Sequence, residues 1–254
     1  MAVSIKSARE IELMREAGKR LAHVHQELEA MIAPGISTWE IDAKGEKLIR
    51  DCGCIPNFLH YNGYPASICV SVNDEVVHGI PRKDRYLKEG DIVSLDAGLI
   101  YKGYHSDAAR THAVGKVSTE AQKLMDVTKQ SFFEGIKMAK EGQHLHDISR
   151  AIEEYVTPYG YGIVRDLVGH GIGTALHEAP EIPNYEVGRK GIKLRPGMTL
   201  AIEPMINIGT YEVDWLDDDW TVVTRDGSLS AHYENTILIT EGEPRILSLT
   251  CDNE

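Results

Sequence analysis

Apolar side chains recur at Ile11, Met14, Leu21, Val24, Leu28 and Met31, in three- and four-residue steps or their sums. That spacing is the stripe of an amphipathic helix. Ser7-x-x-Glu10 ahead of it and Ser37-x-x-Glu40 further on read as capping boxes that open two helices, with Gly53 as a stop for the second. Beyond Gly53 the pattern shortens to β-type runs at 68–72, 92–96 and 104–112. The same succession then returns, with helices predicted near 118–140 and 146–158 and strands near 199–206, 221–224 and 232–239. Helices then strands, twice, describe an α+β domain with sheet inside and helices outside.

The recurrence extends to the residues themselves. LKEGDIVSLDAG from Leu87 lies over LRPGMTLAIEPM from Leu194, so that Gly90 meets Gly197, Leu95 meets Ile202 and Asp96 meets Glu203, all 107 residues apart. Gly35 and Gly142, and Ile41 and Ile148, keep that offset. His78-Gly79-Ile80 matches His170-Gly171-Ile172 at an offset of 92, which places a 15-residue insertion just after Ile172. The chain is expected to be one domain, 1–254, of two related halves, about 1–113 and 118–254.

Composition narrows the classes. With 254 residues and 42% hydrophobic content the chain can bury a full core. A net charge of −12 argues against a general DNA-binding surface. No apolar run reaches the roughly 20 residues needed to span a bilayer, and the opening MAVSIKSAREIELM has no signal-peptide pattern. Cys52, Cys54, Cys69 and Cys251 are therefore expected to be reduced, in a cytoplasmic protein.

The candidate chemistry sits on the repeat. The first half supplies His78, Asp96 and Asp107, and the second His170, Glu203 and Glu234, with Asp96 and Glu203 expected where apolar strands end. Taken singly, such an Asp is usually a turn former and a His beside Gly usually structural. As a matched set, a pseudo-twofold would gather four acids and two imidazoles in one buried place. Burying carboxylates together is costly unless cations neutralise them, and oxygen-rich ligands with an imidazole suit Mn, Fe, Co or Zn ions. Two such ions would make a hydrolytic site.

HGIPR at 78–82, SLDAG at 94–98, HSDAART at 105–111, GHGIGTALHEAP at 169–180, AIEPM at 201–205 and SAHYENT at 230–236 together resemble the type I methionine aminopeptidases of the bacterial kind without an N-terminal extension. The resemblance covers essentially the whole chain. It implies the pita-bread fold: two pseudo-twofold-related halves, a central antiparallel sheet and outer helices. It implies two divalent ions (Co, Mn, Fe or Zn) on Asp96, Asp107, His170, Glu203 and Glu234, with Asp107 and Glu234 bridging. His177, inside the insertion, would donate to the scissile carbonyl, His78 would contact the substrate near the scissile bond, and Glu203 would relay a proton to the leaving amine. Phe58, Tyr61, Tyr64, Cys69, Leu176 and Trp220 would form the methionine pocket. Some members carry a small residue where this chain has Phe58 and an aromatic where it has Leu176. A monovalent cation, Na or K, would lie near Asn73, Glu75 and Ser230. His105, His112 and His144 are expected to be solvated or satisfied structural residues.

The implied activity is removal of the initiator methionine from nascent polypeptides, preferentially when the second residue is small; the chain itself opens Met1-Ala2. The alternatives are an Xaa-Pro peptidase of the same fold and a non-catalytic pita-bread binding module. The expected partners are nascent N-termini and, transiently, the ribosome, with no membrane, no DNA and a monomeric state. Two basic clusters at matched places, Arg82, Lys83, Arg85 and Lys88 and then Arg189, Lys190, Lys193 and Arg195, are the candidates for ribosomal RNA, although such runs are more often solvated loops.

Overall fold

The computed structural model describes residues 3–249; Met1, Ala2 and 250–254, and with them Cys251 and the expected Met-Ala processing site, lie outside the described residues. Both predicted capping boxes form. Ser7 and Ser37 accept the backbone N–H three residues on, while Glu10 and Glu40 accept theirs in return, opening α1 (Ala8–Glu29) and α2 (Thr38–Asp51). Gly53 follows the second helix at φ +71°, the left-handed conformation that ends helices. Five strands complete the first half: β1 (Ile55–Pro56), β2 (Ile68–Val72), β3 (Glu75–Val77), β4 (Ile92–Tyr101) and β5 (Tyr104–Ala113). The second half opens with α3 (Thr119–Ile136) and α4 (Leu145–Val156), α3 ending four residues short of the predicted 140. Its strands are β6 (Gly162–Ile163), β7 (Gly169–Gly171), β8 (Glu178–Ile182), β9 (Thr199–Ile202) and β10 (Met205–Asn207). They continue with β11 (Val213–Trp215), β12 (Val222–Thr224), β13 (Ser230–His232), β14 (Asn235–Leu238) and β15 (Arg245–Ile246).

In the first half β4 is central, with β2 and β1 along one edge and β5 along the other. The second half orders β15-β14-β9-β7-β8, and all these pairings are antiparallel. α1 and α2 pack Leu21, Leu28, Ile41 and Ile49 on Ile68, Val93, Leu95 and Leu99. α3 and α4 pack Leu124, Phe132, Ile148 and Ile152 on Leu200, Ile202 and Ile237. The apolar stripes of the helices and the inner faces of the sheets thus bury one another, half by half.

Backbone hydrogen bonds repeat with the sequence. Gly35 N–H donates to Leu87 O at 2.7 Å, and 107 residues on Gly142 N–H donates to Leu194 O at 3.2 Å. The bridge Ser37↔Tyr86 recurs as His144↔Lys193. Gly35, Gly142, Gly90 and Gly197 all have φ between +86° and +93°, which explains why glycine recurs there. The halves meet between β5 and the start of β14. Ala109 and Glu234 exchange N–H···O bonds of 3.3 and 3.0 Å, while Thr236 Oγ1 accepts from Asp107 N–H and donates to Asp107 O, both at 2.9 Å.

Three expectations change. Asp96 does not end a strand: β4 runs five residues past it, because small Ala97 and Gly98 let the strand continue into a hairpin. The predicted strands at 199–206 and 232–239 each break where the acid sits, at Glu203-Pro204 and Tyr233-Glu234; Pro204 has no N–H to pair. Nor does His78 hold the ladder position of His170. His170 faces Ala201, and the residue facing Ser94, 107 positions before Ala201, is Ser71. His78 lies beyond β3 at φ +59°, and its neighbour Gly79 has no room for a Cβ, which would fall 2.4 Å from Val70 O. Among the described residues no helix is long and apolar enough to cross a membrane.

Candidate metal centre

The five predicted ligands come from both halves. Asp96 is on β4, Asp107 on β5 and His170 on β7, whereas Glu203 and Glu234 are the first residues after β9 and just before β14. One ligand atom each from Asp107, His170 and Glu234 falls within 4.8 Å of the others, and all three residues are buried. His170 Nε2 is 3.9 Å from Asp107 Oδ2 and 3.6 Å from Glu203 Oε1. Its Nδ1 lies 2.9 Å from Gly171 O, to which it donates, so Nε2 presents a lone pair to the carboxylates.

The electrostatics are those of an unneutralised acid cluster. Burial raises the Asp96 carboxyl to about 7. Burial and then the charge of Asp96 raise Asp107 and Glu203 well above the ordinary range; for Glu234 burial comes first and Asp107 next. Among the described residues, Asp96 Oδ1, Asp107 Oδ1 and Glu234 Oε1 are buried without a hydrogen-bond partner. Four buried carboxyls, three of them with an orphaned oxygen, around an imidazole lone pair fit divalent cations, which would satisfy those oxygens and offset the burial.

A cavity of about 260 Å³ opens onto this cluster, and every residue predicted for the site lines it. The four acids and the His170 imidazole form one end, His78 and His177 the side, and Phe58, Tyr61, Tyr64, Cys69, Leu176 and Trp220 the apolar remainder. Tyr64 and Trp220 meet edge-on at 5.1 Å, as His78 and Trp220 do at 6.2 Å, so the walls are braced aromatics. Tyr61 Oη is 2.8 Å from His177 Nδ1. The loop carrying Leu176 and His177 is anchored by Glu178. Its carboxylate takes Lys6 at 2.6 Å, Ser4 at 2.7 Å and Thr174 N–H at 2.8 Å. Burial works to raise the Glu178 carboxyl, but these partners hold it down at about 2. Burial lowers His78 to about 4 and His170 to about 3, keeping both imidazoles neutral at physiological pH.

Two residues near the site escaped sequence reasoning. Asn62 lines the cavity from a left-handed position, φ +49°, which only its place between two pocket tyrosines and Gly63 hinted at. His232, within SAHYENT, points Nε2 at Glu203 Oε2 from 3.9 Å. Of the three histidines expected to be structural, His105 Nδ1 lies 3.4 Å from Asn57 Nδ2 and His144 stands at the N-cap of α4. His112 points Nδ1 at Glu29 Oε1 from 3.8 Å, while its buried Nε2 has no hydrogen-bond partner among the described residues. Near the expected monovalent site, Asn73 O accepts from Ser230 N–H and Glu75 Oε2 from Val72 N–H, while the opposing Asn207 keeps a buried Oδ1 with no partner among the described residues. Cys52, Cys54 and Cys69 are free thiols.

The model of metallopeptidase family M24 matches residues 12–241. A methionine aminopeptidase of Clostridium acetobutylicum is 54% identical over 247 residues, spanning 97% of this chain and 99% of that protein. A solved methionine aminopeptidase from Thermotoga maritima superposes with a TM-score of 0.96 at 45% identity, over 98% of this chain and 100% of its own. A prolidase from Pyrococcus furiosus is more distant, with a TM-score of 0.77 and 25% identity over 97% of this chain and 65% of its own.

Proposed function

The chain belongs to metallopeptidase family M24, and from that membership we propose that it removes the initiator methionine from new polypeptides at the cavity described above, preferentially when the second residue is small. It is a methionyl aminopeptidase, a hydrolase of the pita-bread fold. The observation that carries the assignment to this cavity is the meeting of Asp107, His170 and Glu234 at the end of a pocket walled by Tyr64 and Trp220.

Asp96, Asp107, His170, Glu203 and Glu234 hold two divalent ions, of Co, Mn, Fe or Zn. When bound, the ions acidify water for attack and anchor the substrate's free amine. The methionine side chain enters between Phe58, Tyr61, Tyr64, Cys69, Leu176 and Trp220, where thioether–aromatic contacts of ~0.3–1.5 kcal/mol favour it. With the Tyr61 hydroxyl, 2.8 Å from His177 Nδ1, as the donor of that bond, Nε2–H would be free to donate to the scissile carbonyl as charge develops there. His78 holds the substrate backbone beside Trp220. Glu203 receives a proton from the attacking water. As the new C–O bond forms and the C–N bond breaks, Glu203 passes that proton to the departing amine.

The two halves act as one catalytic domain, monomeric and cytoplasmic, meeting nascent N-termini as they leave the ribosome. Of the two basic clusters we favour Arg189, Lys190, Lys193 and Arg195 for a transient ribosome contact. In the other, Arg82 and Arg85 already lie 3.5 and 3.6 Å from Asp84 and Glu75. A Na or K ion near Asn73, Glu75 and Ser230 would satisfy the orphaned Asn207 oxygen. Assaying Met-Ala-Ser, N-acetyl-Met-Ala-Ser and Gly-Pro peptides tests the activity: only the first should release its N-terminal residue. Hydrolysis of the Gly-Pro peptide alone would turn the reading towards a proline dipeptidase.

A further inference from the structure

His232 ends β13 with its backbone clamped. Its N–H donates to Thr111 Oγ1 and its carbonyl accepts from the same hydroxyl, both at 2.9 Å. His232 is 1% exposed, and among the described residues neither ring nitrogen has a hydrogen-bond partner. The nearby Arg110 guanidinium offers nothing, because it is committed to the carbonyls of Ala109 and Glu234 and to Asn235 Oδ1. What His232 does face is Glu203: Nε2 is 3.9 Å from Oε2, while Glu203 Oε1 turns to His170. On its other side His232 lines a separate cavity of about 690 Å³, making it a partition behind the metal centre.

A buried N–H left unpaired beside a carboxylate oxygen is poised for one bond. We propose that His232 is a positioning residue for Glu203: its neutral imidazole donates Nε2–H to Oε2 once the cluster tightens around its ions. This divides the work of the two oxygens. Oε1 is left on the His170 side as the single ligand atom, and the carboxylate cannot swing to chelate through both. A one-oxygen ligand keeps a coordination position open for water and substrate. The proposal rests on the reading of Glu203 as ligand and proton relay.

The test compares His232→Gln, which keeps a neutral donor, with His232→Leu and His232→Met, which do not; two donor-less variants guard against one failing to fold. Calorimetric Mn(II) binding, the Co(II) absorption spectrum and kcat and KM on Met-Ala-Ser are measured for each. Losing the donor should weaken metal affinity or kcat by ~10–100-fold, the scale for outer hydrogen-bond partners of metal ligands. KM should hold, the Co(II) spectrum should change, and Gln should restore most of the loss. Wild-type affinity, spectrum and kcat in a folded donor-less variant would overturn the proposal, as would a Gln variant no better than Leu and Met. Glu203→Gln separates the two levels: if it too binds metal and turns over normally, the role of Glu203 itself is wrong.

Discussion

Stripping the metals should make the protein's stability fall as pH rises from 6.5 to 8.5, the reverse of what a salt-bridged carboxylate produces. In the unfolded chain an aspartate ionises near 3.8, whereas in the metal-free fold Asp96 holds its proton to about 7 and Asp107, Glu203 and Glu234 hold theirs well above their ordinary values. The fold therefore binds more protons than the unfolded chain throughout this window, and each retained proton costs up to about 1.4 kcal/mol of stability per pH unit. Asp96 alone should lose about 1 kcal/mol between pH 6.5 and 8.5, and its full rise from 3.8 to about 7 corresponds to about 4 kcal/mol. The buried histidines act in the opposite sense. His78, His105 and His112 are lowered to about 4 and His170 and His232 to about 3, so they destabilise the fold in acid, an effect that fades only about one pH unit above the unfolded imidazole value of 6.5 and that cancels when wild type is compared with Asp96→Asn. Urea unfolding of chelated wild type and Asp96→Asn at several pH values is the assay. Wild type should weaken with pH, Asp96→Asn should weaken less, and saturating Mn(II) should abolish the slope while releasing protons. Equal pH dependence in the chelated wild type and Asp96→Asn would refute the reasoning.

Four other outcomes are expected. His177→Ala should lower kcat ~10²–10³-fold with metal content intact, which kinetics beside elemental analysis would check. Asp107→Ala or Glu234→Ala should abolish turnover, and full activity with two metals bound would end the bridging assignment. Leu176→Phe should sharpen the preference for Met over bulkier first residues across X-Ala-Ser peptides at little cost in kcat, because it narrows the cavity wall; unchanged ratios would remove Leu176 from the specificity pocket. Leu21→Ala, at a fully buried position between α1 and the first sheet, should cost about 2–5 kcal/mol in urea unfolding without altering the metal site.

Much of this was legible before any coordinates. The capping boxes fixed two helix starts because their partners lie only three residues apart, and β2 follows the predicted 68–72 because its β-branched run is short and bounded. The offset of 107 carried turns, bridges and acids together, since a duplicated backbone needs glycine at the same left-handed positions. The offset of 92 failed as a structural equivalence. His-Gly-Ile is a short string, and which residue faces which is decided by ladder register, which put Ser71 and not His78 opposite the matched strand position. Asp96 looked like a strand end because a charge interrupted an apolar run, yet β4 continues five residues beyond it. His232 carried no signal beyond its place in SAHYENT and Asn62 none beyond its place beside the pocket tyrosines, because their importance lies in distances set by β13 and by a single left-handed turn.

The central claim is that five residues from two duplicated halves hold a pair of divalent ions. Anomalous diffraction at the manganese edge, from crystals loaded with Mn(II), tests it most directly. Two peaks are predicted among Asp96, Asp107, His170, Glu203 and Glu234, with Asp107 and Glu234 touching both. A single peak, or ions bound away from this cluster, would contradict the account.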